Sequence, residues 1–256
     1  MIIKDFDGKV ALVTGSAQGI GRATALAFAD AGAAVVVSDL EGERDRGIAV
    51  VEEIGSHGGH AVFLACDVTK ESDVQALIRG TVDLYGSLDF ACNNAGFQCK
   101  PMLTADTTNE DWDQVLAVNL KGVWRCMKYE LQQMKRQCKG SIVNIASLAG
   151  LVGVHSASSY AASKHGVIGL TKTAALEYAH DGIRVNAVCP ALVITAMVKT
   201  FVNDDPVLLD QIRNMAPLGR AGLPEEIASA VIWLSSAGAG FTTGHALSVD
   251  GGAAAS

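Results

Sequence analysis

The chain has 256 residues, 49% of them apolar, which is enough apolar side chain for one large buried core. Its formal net charge of −7 argues against nucleic acid or an anionic membrane surface as a partner, because both attract a basic protein surface. No run of about 20 apolar residues exists that could cross a membrane, and the acidic start MIIKDFDGKV does not resemble a secretory signal, so a cytoplasmic location is expected.

Strands and helices alternate along almost the whole chain, without an internal repeat or a Pro-rich linker. Apolar runs predict strands at 10–13, 34–37, 61–64, 88–92, 141–145, 183–188 and 246–249. Helical spacing predicts helices after Gly21 and at 41–54, 72–85, 110–134, 158–178 and 224–235, with Ser72 and Asn109 as N-caps. This alternation predicts one α/β domain over residues 1–256, a doubly wound parallel sheet with helices on both faces.

The first predicted strand ends at a glycine-rich turn, TGSAQGIG from Thr14 to Gly21, which opens the first helix. Unpaired N–H groups and the positive end of a helix dipole then point at one spot, and that spot suits a phosphate. The spacing T-G-x-x-x-G-x-G differs from the G-x-G-x-x-G of many dinucleotide folds. On the glycines alone, a tight turn that binds nothing remains an alternative.

Asp39 follows the second predicted strand, about 20 positions after the glycine turn, where such folds hold a ribose. A carboxylate there accepts hydrogen bonds from both ribose hydroxyls and repels a 2′-phosphate. No Arg or Lys occupies Gln18, Ser38 or Leu40. The sequence therefore predicts NAD rather than NADP as the cofactor.

The ligand crevice of an open parallel sheet lies beyond the carboxyl ends of its strands. Five polar or glycine residues follow predicted strands in this chain: Gly15, Asp39, Asp67, Asn93 and Ser147. We therefore expect all five at one cleft.

Neither the six cysteines nor the six histidines are spaced as ligands of a metal ion. The cysteines lack a C-x-x-C pair and the histidines lack an H-E-x-x-H pattern. We therefore predict no metal site and no redox pair of cysteines.

Tyr160 and Lys164 stand four residues apart on the predicted helix 158–178, so their side chains share one face. A tyrosine has a pKa of about 10, but a nearby ammonium lowers that pKa towards the working range of a proton-transfer group. An isolated Y-x-x-x-K is more often structural, but this one follows a strand-terminal serine and a nucleotide-binding half. We predict that the pair moves the proton while a hydride passes between an alcohol and the cofactor.

Several motifs together resemble the short-chain dehydrogenase/reductase family, over nearly the whole chain. They are Thr14–Gly21, Asp67, Asn93-Asn94-Ala95-Gly96, Asn119, Ser147, Tyr160 to Lys164 and Val249-Asp250-Gly251-Gly252. The resemblance implies a Rossmann-like sheet of seven strands and a catalytic tetrad, in which Ser147 hydrogen-bonds the substrate oxygen and Tyr160 moves the proton. It also implies that Lys164 holds the nicotinamide ribose and that Asn119 positions a water. From the helix pattern alone, Asn119 is either a satisfied packing residue or part of a water-linked network.

The resemblance further implies that Asp67 and the main chain of Val68 hold the adenine, with Asn93 along the adenosine. The predicted cofactor contacts are Gly15, Gln18, Gly19, Ile20, Gly21, Asp39, Leu40, Asp67, Val68, Asn93, Ala95, Gly96, Tyr160, Lys164, Pro190, Val193 and Thr195. One departure from the family pattern is Ala191, because glycine usually follows the proline there. Alanine is disfavoured only if that position needs a positive φ.

Three variable segments, 97–103, 148–155 and 196–217, are expected to form the substrate pocket. Their side chains are mostly apolar, with Gln98 and His155 as exceptions, which favours an uncharged ketone or secondary alcohol as the small-molecule substrate. His155 is expected at the rim of the pocket. The helix 224–235 and the strand 246–249 resemble the elements through which this family forms tetramers, so a homotetramer is expected.

The sequence thus favours an NAD-dependent oxidoreductase that acts on a CH–OH group. A 3-oxoacyl thioester reductase is the main alternative, although that activity usually goes with NADP. A non-catalytic dinucleotide-binding protein is another, but it would tolerate loss of Tyr160 and Lys164, and both are present. A nucleotide hydrolase would need G-x-x-x-x-G-K followed by Ser or Thr, which the residues after Gly21 do not supply.

Overall fold

The structure, a computed structural model, describes residues 6–98, 100–194 and 216–255. Seven strands form one parallel sheet: β1 (Val10–Thr14), β2 (Ala34–Asp39), β3 (Ala61–Ala65), β4 (Phe90–Asn93), β5 (Gly140–Ile145), β6 (Ile183–Pro190) and β7 (Ala246–Val249). Their order across the sheet is β3-β2-β1-β4-β5-β6-β7. The predicted Rossmann-like fold with seven parallel strands is confirmed.

Helices cover both faces of this sheet. They are α1 (Gly19–Asp30), α2 (Arg44–Ser56), α3 (Glu71–Tyr85), α4 (Asn109–Leu116), α5 (Val123–Gln137), α6 (Ser158–Tyr178) and α7 (Pro224–Ser235). Within the three described ranges, no helix is both long enough and apolar enough to cross a membrane.

The strands alternate between two apolar layers because successive side chains of a strand point to opposite faces. Leu12 and Val36 pack into the layer that carries α3, α5 and α6. Val13 and Val35 pack into the other layer, with α1, α2 and α7. Burying each such side chain stabilises the folded state by about 1.5–3 kcal/mol. Because both faces of the sheet are covered, the apolar residues of these strands form continuous runs in the sequence.

The two predicted N-caps are wrong. Helix α3 begins at Glu71 with Lys70 as its N-cap, so Ser72 lies inside the first turn. Helix α4 is capped by Thr108, whose hydroxyl accepts the N–H of Asp111 at 3.1 Å, and Asn109 is the first helical residue. Several residues in each stretch can cap a helix, and the course of the preceding chain decides which one does.

The predicted helix 110–134 is interrupted by a π-helical segment, Ala117–Gly122, between α4 and α5. A π-helical turn widens the helix by one residue and is common at functional sites. The spacing of apolar side chains on either side stays helical, so the pattern did not reveal the interruption. Its consequence is that Asn119 is fully buried on the side of the sheet's carboxyl edge.

The strand order reverses at β1, which pairs with β2 on one side and with β4 on the other. Successive connections from this point run to opposite faces of the sheet, and a crevice opens beyond the carboxyl ends of the two strands. The fold therefore places the glycine turn after β1 and the segment after β4 on either side of one crevice.

We expect Thr108→Ala to lower the free energy of unfolding by about 1 kcal/mol, because it removes the hydroxyl that caps α4. Asn109→Ala, the matched control, removes no cap and should leave stability nearly unchanged. Urea unfolding followed by circular dichroism measures both. A larger effect of Asn109→Ala than of Thr108→Ala would contradict this capping assignment.

Candidate functional site

The glycine turn after β1 depends on two glycines with a left-handed backbone, and at one of them a neighbouring segment also approaches closely. Gly15 has φ +62°, and a Cβ at this position would lie 2.8 Å from the Cα of Ala95. Gly19, the first residue of α1, has φ +58°. The turn therefore needs both the left-handed backbone and the close approach of the segment after β4.

Asn94 joins the two sides of the crevice. Its Nδ2 donates to the carbonyls of Thr14 at 3.0 Å and Gly15 at 2.8 Å. In return the Thr14 hydroxyl accepts the N–H groups of Asn94 at 3.1 Å and Ala95 at 3.2 Å. We call these four hydrogen bonds the β1–β4 clamp, and they tie the glycine turn to the end of β4.

The N-terminus of α1 is open towards the crevice. Its N-cap, Gln18, makes no side-chain hydrogen bond to the helix, and the first turn carries no acidic residue. The N–H groups of this first turn have no acceptor in the part of the chain that the structure describes, and they lie at the positive end of the helix dipole. These are the features with which helices bind phosphate.

Asp39, at the end of β2, lies against the glycine turn. Its Oδ2 accepts the N–H of Ala17 at 2.9 Å, and its Oδ1 accepts the N–H of Leu40 at 2.9 Å. Ser16 braces the same contact, since its hydroxyl accepts the N–H of Ser38 at 2.9 Å. The carboxylate is thus oriented by main-chain donors while staying half-exposed.

Asp67 turns its carboxylate into its own loop. Oδ1 accepts the N–H of Thr69 at 2.9 Å and its hydroxyl at 2.7 Å, and Oδ2 lies 3.3 Å from Lys70 Nζ. Partial burial raises the pKa of Asp67, but the Thr69 and Lys70 hydrogen bonds outweigh it and lower the pKa overall. Asp67 therefore carries its charge at neutral pH.

The carbonyl of Val68 is held by a buried arginine that the sequence did not single out. Arg125 on α5 donates to this oxygen at 2.6 Å. Gly122 packs beside it, since a Cβ there would lie 2.8 Å from Val68 Cγ2. The main chain at Val68, which was predicted to hold an adenine, is fixed from behind by α5.

The Asn93 side chain does not face the crevice. It is buried, and its Nδ2 donates to Glu130 at 2.9 Å and to Asn144 at 3.0 Å. The two partners draw this side chain into the layer under α5, so a contact of Asn93 with the adenosine would come from its main chain. A contact from the Asn93 main chain stays a prediction.

Lys164, on α6, is buried near Tyr160 and beneath the end of β5. Its Nζ donates to the carbonyl of Ile145 at 2.9 Å and lies 5.6 Å from the centroid of the Tyr160 ring. Burial lowers the pKa of Lys164 to about 8, and the nearby Cys189 acts in the opposite direction without cancelling this shift. The charged form still predominates at pH 7, and up to two of its three N–H donors remain for a ligand.

Ser147 follows β5 and begins the short turn Leu148–Gly150, where its Oγ accepts the N–H of Ala149 at 3.1 Å. The hydroxyl proton is then left to donate. A Cβ on Gly150 would lie 2.8 Å from the carbonyl of Lys164, so this turn packs directly on α6. Ser147, Tyr160 and Lys164 are thereby brought to one end of the sheet, as the sequence predicted.

Asn119 holds the loop after β4 with both ends of its amide. Its Oδ1 accepts the N–H of Phe97 at 2.6 Å, and its Nδ2 donates to the carbonyl of Phe97 at 2.7 Å. A Cβ on Gly96 would lie 3.6 Å from Asn119 Oδ1 and 3.9 Å from Lys164 Nζ. Asn119 is therefore a satisfied amide next to Gly96 and Lys164, and its part in a water relay stays a prediction.

The residues after β6 have ordinary backbone. Among described residues other than glycine, a positive φ occurs at Cys138 and Ser156, so Ala191 carries no strain of this kind. Val193 is buried and forms an isolated bridge with Gly222. Thr195, the remaining predicted cofactor contact of this stretch, lies outside the described residues, as does most of the predicted substrate segment 196–217.

Of the other two predicted substrate segments, 97–103 is joined by main chain to the residues that directly follow 148–155. The N–H of Met102 donates to the carbonyl of Ser156 at 3.0 Å, and Met102 pairs with Ala157 in an isolated bridge. Phe97 and Val152, one in each segment, are exposed. The exposed His155 contacts the Ser156 hydroxyl at 2.8 Å, and its place at the rim of the pocket stays a prediction.

Three residues of this site had no role in the sequence analysis: Thr14 and Asn94 of the clamp, and Arg125. Thr14 and Asn94 stand in the quoted motifs at two strand ends, which is a usable signal. Arg125 gives none, because a single arginine in an amphipathic helix is usually a surface residue. Within the described part of the chain, no three His, Cys, Asp or Glu side chains come together as metal ligands.

A family model described as "Enoyl-(Acyl carrier protein) reductase" matches residues 15–254. Cyclohexanol dehydrogenase of Acinetobacter sp. is 42% identical over 246 residues, covering 96% of this chain and 95% of that protein. The 3-oxoacyl-(acyl-carrier-protein) reductase of Staphylococcus epidermidis is 41% identical over 244 residues, covering 95% and 98%. A crystal structure of an actinorhodin polyketide ketoreductase variant with NADPH is 38% identical, covers 96% of this chain and 97% of that chain, and has a TM-score of 0.90.

We expect Asn94→Ala to lower the free energy of unfolding by about 1–3 kcal/mol, because it leaves the carbonyls of Thr14 and Gly15 without their donor. Asn94→Asp should cost more, since a carboxylate would face both carbonyl oxygens. Urea unfolding at pH 7 measures these values, with the exposed Asn109→Ala as control. Equal stability of Asn94→Ala and the control would show that the clamp does not hold the two strands together.

Proposed function

The chain belongs to the short-chain dehydrogenase/reductase family, and on that premise we propose that it is an NAD-dependent oxidoreductase. It interconverts a secondary alcohol and a ketone within one catalytic domain, residues 1–256. The observation that carries this proposal is the buried Lys164 beside Tyr160, at the same end of the sheet as the open N-terminus of α1 and Asp39.

The described residues fit a dinucleotide. The left-handed Gly15 leaves no room for a Cβ, α1 offers free N–H groups to a diphosphate, and Asp39 is aimed by main-chain donors for a ribose. Lys164 has spare donors for the second ribose. When bound, the nicotinamide ring supplies or accepts the hydride, and the residues of the chain handle the proton.

In the oxidation direction, the phenolate oxygen of Tyr160 takes the hydroxyl proton of the alcohol. The hydride leaves the carbon that bears this hydroxyl, and the C=O bond forms. In the reverse direction, the phenol returns that proton to the carbonyl oxygen. Ser147 donates a hydrogen bond to this oxygen and steadies the charge that develops on it. The positive charge of Lys164 favours the phenolate of Tyr160.

The preference for NAD over NADP is supported by the charges around the end of β2. The Asp39 carboxylate would repel a 2′-phosphate. Two arginines follow nearby, but each is engaged: Arg44 pairs with Glu41 at 2.6 Å and Arg46 pairs with Glu43 at 2.9 Å. A solved relative contains NADPH, so the fold by itself does not select NAD, and the proposed preference depends on Asp39.

The substrate class is supported by the apolar segments next to Tyr160 and by the relative that acts on cyclohexanol, an uncharged secondary alcohol. The second candidate is reduction of a 3-oxoacyl thioester, which the 41% identical reductase favours. A non-catalytic dinucleotide-binding protein is the least favoured alternative, because it has no use for a buried lysine beside a tyrosine.

We also propose that the protein forms a homotetramer and is located in the cytoplasm. Two large aromatic side chains on and after α7 are exposed, Trp233 and Phe241, and β7 is an edge strand of the sheet. Contact with a second copy of the chain would cover them. Sedimentation analysis of the purified protein measures its oligomeric state.

We expect Tyr160→Phe to lower kcat by about 10²–10⁴-fold, because it removes the group that moves the proton. NADH affinity should change little, since the ring remains. A panel of secondary alcohols and ketones, assayed by cofactor absorbance with NAD and NADP, supplies the activity and includes a 3-oxoacyl thioester. Tyr178→Phe on the same helix is the control, and turnover retained in Tyr160→Phe would reject the assigned role.

We expect Asp39→Ala to shift the NAD over NADP ratio of kcat/KM at least about tenfold towards NADP, the effect of removing about 1.4 kcal/mol of like-charge repulsion. Asp45→Ala changes an exposed carboxylate on α2 and serves as the control. An unchanged ratio in Asp39→Ala would mean that this carboxylate does not face the ribose.

A further inference from the structure

A fully buried carboxyl group lies under the crevice and has no part in the chemistry above. Glu130 on α5 is 0% exposed, and its Oε2 accepts a hydrogen bond from Asn93 Nδ2 at 2.9 Å. Burying an ionised carboxylate is costly unless a cation or several donors compensate it. Burial therefore favours the protonated form of this carboxyl group, unless its neighbours compensate the charge.

The orientation of the Asn93 amide is fixed by its surroundings. Its Nδ2 donates both to Glu130 Oε2 and, at 3.0 Å, to Asn144 Oδ1. Asn144 in turn donates to the Thr171 hydroxyl at 2.9 Å, and that hydroxyl donates to Val167. Reversing the Asn93 amide would set its oxygen against Asn144 Oδ1, so the nitrogen must point towards Asn144 and the neighbouring Glu130.

Two oxygens in this network have no partner among the described residues. They are Asn93 Oδ1 and Glu130 Oε1, both fully buried. They belong to two residues that one hydrogen bond already joins. A proton on the Glu130 carboxyl would let it donate to Asn93 Oδ1, and the two side chains would form a cyclic acid–amide pair with both oxygens satisfied.

Among the described residues, no cation contacts Glu130 to favour its ionised form. The titratable groups that face Glu130 are the thiols of Cys92 on β4 and Cys126 on its own helix, and burial raises the pKa of both. Cys66 lies beyond Cys126, and Arg125 donates to a main-chain carbonyl. The groups that β5 and α6 contribute are neutral: the amide of Asn144 and the hydroxyl of Thr171.

We propose that Glu130 is a positioning residue, a neutral carboxylic acid whose proton closes a two-bond pair with Asn93 and so fixes the end of β4 at the floor of the crevice. Asn93 is directly followed by Asn94, which forms the β1–β4 clamp. Ionisation would release the proton to solvent, leave Asn93 Oδ1 facing a carboxylate, and loosen the segment that meets the glycine turn.

The pair makes stability depend on pH with a defined sign. Burial raises the pKa of Glu130 from 4.5 to about 7, and the Asn93 hydrogen bond offsets this only in part. A group whose pKa is higher in the folded state than in the unfolded state stabilises the fold fully at a pH below its unfolded-state pKa. This contribution is lost as the pH rises through its folded-state pKa. Relative to a variant that cannot ionise, the wild type should lose roughly a hundredfold in its folding equilibrium constant between pH 4.5 and pH 7.5.

Glu130→Gln is the informative variant, because its amide keeps the shape of the neutral acid and can donate to Asn93 Oδ1. Urea unfolding between pH 4.5 and pH 8 should show the wild type losing stability relative to Glu130→Gln as pH rises. Glu52→Gln changes an exposed glutamate on α2 and should follow the wild type at every pH.

Infrared spectroscopy of the wild type reads the proton directly and needs no variant to fold. We expect a carboxylic acid C=O band that persists at pH 6, where exposed glutamates are ionised, disappears as pH rises past 7 to 8, and is absent from Glu130→Gln. An ionised Glu130 at pH 6, seen as the absence of this band, would overturn the proposal.

The positioning role rests on the proposed dinucleotide binding and is tested with NADH by fluorescence titration. We expect the Kd of the wild type to rise roughly fivefold more between pH 6 and pH 8.5 than that of Glu130→Gln. If the acid band is present but both proteins share one pH dependence of NADH affinity, Glu130 is neutral without positioning the crevice, and the proposal fails. If neither protein binds NADH, the proposed function fails with this role, whereas the infrared and unfolding results still decide the protonation state.

Discussion

The structure depends on the β1–β4 clamp, the point at which the order of strands reverses. Asn94 satisfies two carbonyls of the glycine turn while Thr14 accepts two N–H groups from the far side. These groups are partly buried, so leaving them unpaired would be costly. Because the clamp is made, the backbone of Gly15 meets Ala95 closely, and the open end of α1 and the loop after β4 face one crevice.

A second set of contacts carries the reactive groups to this crevice. The π-helical turn before α5 turns Asn119 inwards, where its amide holds Phe97 at both ends. Lys164 reaches from α6 to the carbonyl of Ile145, two residues before Ser147. Within the described ranges no carboxylate pairs with this buried ammonium, so the Ile145 carbonyl is its hydrogen-bond partner, and the energetic cost of its burial brings its pKa near the neutral range.

Polar groups inside the layer under α5 support the same edge of the sheet. Glu130 and Arg125 lie five positions apart on that helix, one bound to Asn93 at the end of β4 and the other to Val68 after β3. Both strand ends line the crevice. The helix therefore does more than cover the sheet with apolar side chains, because its buried polar groups fix the main chain on which the site is built.

The sequence by itself determined the strands, the doubly wound parallel sheet expected of an alternating α/β chain, and the helices 158–178 and 224–235, because local periodicity and glycine positions encode them. It also determined the close approach of Tyr160 to Lys164, since one helix turn sets it. Only the tertiary structure decided the cap at Thr108, the π-helical turn around Asn119, and the burial of Asn93, Glu130 and Arg125. Those outcomes depend on which distant backbone meets each side chain, and residues far apart in the chain leave no local pattern from which such a meeting can be read.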